Sequence, residues 1–251
     1  MTADSSIQQT PFIKQLAAND RPTRDKAVES LKAYLSSSRT FTQSDFLKLW
    51  KGLFYCMWLS DRPRTQQRLA DELASLVEVL KPHNVITFLE AFWTTMTREW
   101  TSIDSLRMDK FMLLVRRYLA AELRRLKAAG WDEGVVRRRN EVLEGTALHP
   151  TNSKMPDGLR YHVIDIFVDE LIKATKVEKE ADEGADEEED EEMEEKEAEE
   201  DQYDITPEQA EVVLLPFRKL QKETLSKPIR KNVTEMLEDE RLQPLLKAST
   251  G

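Results

Sequence analysis

SDFLKLWKGLFYCMWLSDRPRTQQRLADELASLVEVL, residues 44–80, decides the fold. From Asp45 to Leu59 it is apolar nearly all round, and only Lys48, Lys51, Gly52 and Tyr55 line up as a narrow polar stripe. A helix of that kind is packed by neighbours on most sides. Ser44 is expected to cap it. Ser60-Asp61-Arg62-Pro63 ends it, and aspartate followed by proline opens a second helix over Pro63–Leu80.

Working outward, the same helical period recurs on both sides. Pro22 suits the first turn of a helix in which Ala27, Val28, Leu31 and Leu35 share one face, ending at Ser36-Ser37-Ser38. Further helices are expected over His83–Glu99, Ser105–Ala129, Asp132–Leu143 and Gly158–Thr175, with Gly130 as a C-terminal cap and a loop over His149–Asp157. Thr206-Pro207-Glu208-Gln209 has the form of a capping box, and two short helices should follow, broken near Pro216 and Pro228. No stretch reads as a strand.

Short connections between amphipathic helices imply antiparallel neighbours. Two all-α architectures satisfy this, a compact bundle and a helical-repeat stack of the HEAT/armadillo kind. A fixed period of 35 to 45 residues gives only weak self-similarity. The all-round apolar helix flanked by amphipathic ones favours the stack.

Charge divides the chain further. Of 251 residues, 47 are acidic and 37 are Lys or Arg, a formal net charge of −10. Glu178–Asp204 alone holds 18 acids and 2 lysines, leaving 29 acids against 35 bases elsewhere. The molecule is thus a mildly basic body with an acidic strip that cannot bury enough apolar surface to offset its ordering entropy. The expected layout is a flexible N-terminus (1–10), a helical-repeat domain (11–176), a disordered acidic linker (177–204), a C-terminal helical segment (205–246) and a flexible tail (247–251).

Several function classes find no support in the residues. Cys56 is the sole cysteine, which rules out an internal disulfide framework and fits a reducing compartment. No apolar run approaches the roughly 20 residues of a membrane span, and the N-terminus has no secretory pattern. The expectation is a soluble intracellular protein without membrane, cofactor or small-molecule substrate. His83, His149 and His162 lie in different elements without metal-ligand spacing, and no phosphate-cradling glycine loop occurs. His162 with Asp165 and Asp169 could share a helical face and hold a metal, although a solvated face has the same pattern. Enzyme is the disfavoured class.

Basic side chains stand out instead. Arg107–Arg139 carries ten bases against four acids. Lys110, Arg117 and Arg124 recur every seven residues, drifting only about 20° per step around a helix. With Arg116, Arg125, Lys127, Arg137, Arg138 and Arg139 they are candidates for phosphates of an RNA backbone. The competing reading is that these bases pair with acids on neighbouring helices. Reversing Lys110, Arg117 and Arg124 together to glutamate is expected to weaken RNA association without unfolding the body. Trp50, Trp58 and Trp100, and Phe217 and Leu220 near the C-terminus, are candidate protein-interface anchors, with core packing as the alternative for each. The C-terminal helices could dock on the body or on a partner.

Three blocks carry a resemblance: KLWKGLFYCMWLSDRPRTQQRLA (48–70), FWTTMTREWTSIDSLRMDKFMLLVRRYL (92–119) and PDGLRYHVIDIFVDEL (156–171). Together they resemble the eukaryotic nucleolar ribosomal RNA-processing protein one family over about residues 11–176. The resemblance implies an all-α assembly factor of the large (60S) ribosomal subunit precursor in the nucleolus, without catalytic activity. It further implies partners among other assembly factors, including beta-propeller and Brix-domain proteins, while the basic stripe suits precursor rRNA at one edge. It transfers no catalytic residue. The alternative from another class is an acidic chaperone for basic ribosomal proteins or histones.

Overall fold

The computed structural model describes residues 11–16, 18–177 and 202–247. The expected flexible N-terminus, most of the acidic strip and most of the tail lie outside the described residues. In chain order the helices are α1 (Pro11–Leu16), α2 (Arg21–Leu35), α3 (Gln43–Trp58), α4 (Pro63–Ala74), α5 (Leu76–Val79), α6 (Pro82–Glu99), α7 (Ser105–Ala128), α8 (Glu133–Gly145), α9 (Asp157–Thr175), α10 (Pro207–Glu223), α11 (Lys227–Leu237) and α12 (Gln243–Leu246). Among the described residues there is no strand, only an isolated bridge between Lys176 and Tyr203.

These helices pack as antiparallel hairpins in two layers. α1, α3, α6, α8, α10 and α12 adjoin in succession on one side, and α2, α4–α5, α7, α9 and α11 on the other. Side-chain contacts show that successive helices of a layer run the same way. Phe46 meets Phe88 and Trp50 meets Phe92 across α3 and α6. Asp71 meets Arg117 and Glu78 meets Arg124 across α4–α5 and α7. Met112 meets His162 and Arg116 meets Glu170 across α7 and α9. The second helices of the first three hairpins start at Arg21, Pro63 and Ser105, so 63 − 21 and 105 − 63 both equal 42 residues. A repeat is therefore present in the helix starts, although the side chains scarcely show it.

Local chemistry explains the boundaries. α3 starts earlier than its sequence suggests: Thr42, not Ser44, is the cap, and Asp45 returns a bond to the Thr42 N–H in a capping box. The helix expected over Pro63–Leu80 breaks at Ser75 into α4 and α5. Gly130 sits at φ 63°, and the N–H groups of Trp131 and Gly130 donate to the Leu126 and Lys127 carbonyls. That is the Schellman ending, which needs a left-handed residue after the helix.

The C-terminal segment contradicts the expected break at Pro216. α10 runs through that proline. Proline lacks an N–H, so the Val212 carbonyl four residues back loses its helical donor. Asn140 of α8 supplies a substitute, its Nδ2 donating to Val212 O at 2.6 Å. α10 and α11 pack against α8 and α9 and continue the stack. Val177 and residues 202–204, expected in the linker, are likewise part of the body. Val177 N–H donates to Gln202 O and Asp204 N–H to Thr175 O, both at 2.9 Å. The acidic strip thus leaves and re-enters the body at one point.

Candidate nucleic-acid interface

α7 carries most of the bases in question, and its neighbours decide their fate. Phe111, Leu114, Tyr118 and Leu119 are buried and fix how the helix is rotated in its layer. That rotation turns residues 117 and 124 toward α4–α5 and residue 110 toward the end of α3.

Lys110 is not available to a phosphate. It is buried at 5% exposure, and its Nζ donates to the carbonyls of Trp58, the last residue of α3, and Ser60 just past it, each at 2.7 Å. Burial, aided by the nearby Arg107 charge, pushes its pKa down to about 8. Arg117 pairs with Asp71 at 2.7 Å and Arg124 with Glu78 at 3.0 Å. The acids are seven residues apart, as are the arginines, so two ladders face each other across the layer. This matching interval was legible in the sequence, yet only the packing shows that the two sets meet.

The remaining bases divide by burial. Arg139 is also withdrawn: it is 1% exposed, and its Nε donates to Glu122 Oε2 at 2.9 Å. Glu122 accepts a second bond from the Trp93 indole, and burial nonetheless raises its carboxyl pKa. A charge so enclosed cannot reach an RNA backbone. Arg116 bridges to Asp169 and Glu170 on α9. Arg125 donates to the Leu80 carbonyl, and Lys127 pairs with Asp204. Arg137 makes an exposed pair with Glu133 one turn earlier. Arg138 is exposed and has no ion pair among the described residues.

The proposed interface anchors fare similarly. Trp50 is fully buried, ringed by Phe88, Phe92 and Tyr118 at 4.9–5.5 Å, and is a core residue. Phe217 and Leu220 are fully buried because α10 docks on the body, where Phe217 packs on Phe167 with ring centroids 4.3 Å apart. Trp100 is buried against Gly158, where an added Cβ would come within 3.2 Å of the indole nitrogen. Trp58 alone of these five is half-buried, and the Arg107 guanidinium lies over its ring at 4.7 Å.

The metal reading of α9 also dissolves. His162 Nε2 bonds to the Met112 carbonyl at 2.8 Å, and Asp169 is held by Arg116 and Arg241. Among the described residues no group of three or more His, Cys, Asp or Glu could hold a metal ion. Cys56 is buried, and that burial pushes its thiol up to about 12. No helix among the described residues is long and apolar enough to cross a membrane.

Fold and geometry together define an all-α stack of helical hairpins in which ion pairs such as Arg117–Asp71, Arg116–Glu170 and Arg139–Glu122 join one helix to the next. The chain belongs to the family described as nucleolar protein, Nop52, whose pattern matches residues 7–250. It is 42% identical over 188 residues to the human ribosomal RNA processing protein 1 homolog A, covering 71% of this chain and 41% of that protein. To the human ribosomal RNA processing protein 1 homolog B it is 40% identical over 178 residues, covering 68% and 23%. The Drosophila melanogaster ribosomal RNA processing protein 1 homolog is 35% identical over 179 residues, covering 68% and 26%. The chain spans less than half the length of each of these relatives.

Proposed function

We propose that this chain acts in rRNA processing as a non-catalytic scaffold of the large ribosomal subunit precursor, binding other assembly factors and precursor rRNA. The observation that carries the reading is the continuity of the stack. Five hairpins join through buried aromatic contacts and cross-helix ion pairs, so surfaces far apart in the chain keep fixed relative positions. A partner then meets a preorganised surface, and the entropy of ordering that surface is not charged to each binding step. Beta-propeller and Brix-domain assembly factors are the partners the family resemblance suggests.

For RNA, the candidates narrow to Arg138, exposed without an ion pair among the described residues, and to Arg117, Arg124 and Arg137, whose ion pairs lie at the surface. Exposed pairs contribute only about 0 to 1 kcal/mol each, so a phosphate can displace the carboxylate at little cost.

Association with precursor particles tests the scaffold. Tagged full-length chain should co-sediment with large-subunit precursors, and its depletion should leave precursor rRNA uncut. A chain lacking residues 178–201 should still join those particles. The rival acidic chaperone requires the reverse: loss of the strip abolishes binding to basic clients, and particle association is absent from the start.

A further inference from the structure

Two hollows lie along the same seam, between α6 and α8. The larger, about 800 Å³, is at the start of both helices, with Val85 and Ile86 on one wall, Val135 on the other and the end of α7 as floor. The smaller, about 350 Å³, is at their far ends, between Thr97, Arg98, Gly145 and Thr146. Neither lining includes a carboxylate, whereas three other hollows among the described residues all do. Each hollow instead has cations at its rim: Arg125 and Arg138 at the first, Arg98 and Lys154 at the second. Arg138 and Lys154 have no ion pair among the described residues. In the second hollow the Thr97 hydroxyl is buried without a hydrogen-bond partner.

We propose that the α6–α8 seam is the docking groove for a helical segment of a partner protein, apolar on one face and acidic toward both ends. Charge complementarity selects the acids, because among the described residues Arg138 and Lys154 carry no ion pair, Arg125 meets only the Leu80 carbonyl, and no carboxylate lines either hollow, although Arg98 is paired with Glu99 at 2.7 Å. The larger hollow selects the apolar anchor. Its walls are mainly aliphatic, with His83 as the one aromatic ring in the lining, which favours a single apolar side chain over successive stacked bases as the occupant. Ile86 and Thr97 are eleven residues apart on α6, so the hollows are separated by about 16 Å along the helix axis. A partner helix of about three turns spans that distance. Its first apolar residue enters beside Val135, and an acidic group near its other end meets Lys154. Glu90, exposed on α6 between the hollows, leaves the centre of the groove suited to a neutral or basic residue. This deepens the scaffold reading by naming where one protein partner binds.

Fluorescence anisotropy with the full chain tests it. The probe is a 16-residue helix-forming peptide with leucines at i, i+3 and i+7 and glutamates toward both ends. Controls are the same peptide with serine for leucine, and a 16-nucleotide single-stranded RNA. The leucine peptide should bind at least about tenfold more tightly than the serine peptide, and Val135→Asp or Arg138→Glu should weaken it at least about tenfold. Arg138 is exposed, so its variant reads binding even if Val135→Asp perturbs folding. Equal binding of the serine peptide, wild-type affinity in Arg138→Glu, or displacement of the peptide by the RNA would each overturn the proposal. Co-sedimentation keeps the two readings apart. A chain that joins particles but fails the peptide assay loses only the groove, and one that binds the peptide but no particle loses only the scaffold.

Discussion

Asn140 of α8 donates its side-chain N–H to the carbonyl of Val212 in α10, the oxygen that Pro216 leaves without a helical partner. This contact joins residues 72 apart in sequence and permits a proline inside a helix. Asn140→Leu strands a part-buried carbonyl and is expected to cost about 1 to 3 kcal/mol. Pro216→Ala restores an N–H to that carbonyl, so the double variant should lose much less than Asn140→Leu alone. Urea denaturation of the four-member cycle measures this, and strict additivity would refute the relationship.

The stripe of three bases should separate in stability assays. Lys110→Glu removes the donor to the Trp58 and Ser60 carbonyls and buries a carboxylate, a loss on the order of 3 to 5 kcal/mol. Arg117→Glu with Arg124→Glu breaks only surface pairs and should leave the chain folded, reducing any RNA affinity and its salt dependence. The triple change is therefore a folding defect, contrary to the expectation drawn from the helical wheel. Lys110 also leaves a pH signature. Its folded pKa near 8 lies below the ordinary 10.5, so the native state sheds the proton first and stability rises with pH between those values. Lys110→Met should flatten that rise in denaturant midpoints.

Replacing residues 178–201 with a four-residue Gly-Ser turn should keep the body intact. Val177 and Gln202 are already paired, so a short turn closes the same gap. Shortening the loop sixfold should stabilise by about 1 to 2 kcal/mol through lower closure entropy. Thermal unfolding reads this, and a large fall in Tm would show that the strip contributes contacts to the body.

Acid should loosen the C-terminal hairpin first. Arg241 and Arg116 hold the Asp169 carboxyl below its ordinary 3.8. A depressed carboxylate stabilises above its unfolded pKa, and that contribution is lost as pH falls below 3.8 toward the folded value. Hydrogen exchange in α11 and α12 should therefore accelerate over that range before exchange in α3 or α6, and Arg241→Gln should abolish the difference.

What the sequence determined by itself is local: period, caps and charge. The apolar run of Asp45–Leu59, the proline starts and Gly130 announce helices, because each works through residues within a turn or two. Burial follows from partners some 40 or more residues away, and no wheel shows them. Lys110 and Arg124 share a stripe, yet one ends against the carbonyls at the end of α3 while the other stays at the surface. Pro216 reads as a break until α8 places Asn140 beside it. Tertiary structure decided which charges are spent within the stack and which face outward, since that depends on how neighbouring hairpins pack, and the seam between α6 and α8 exists only once they do.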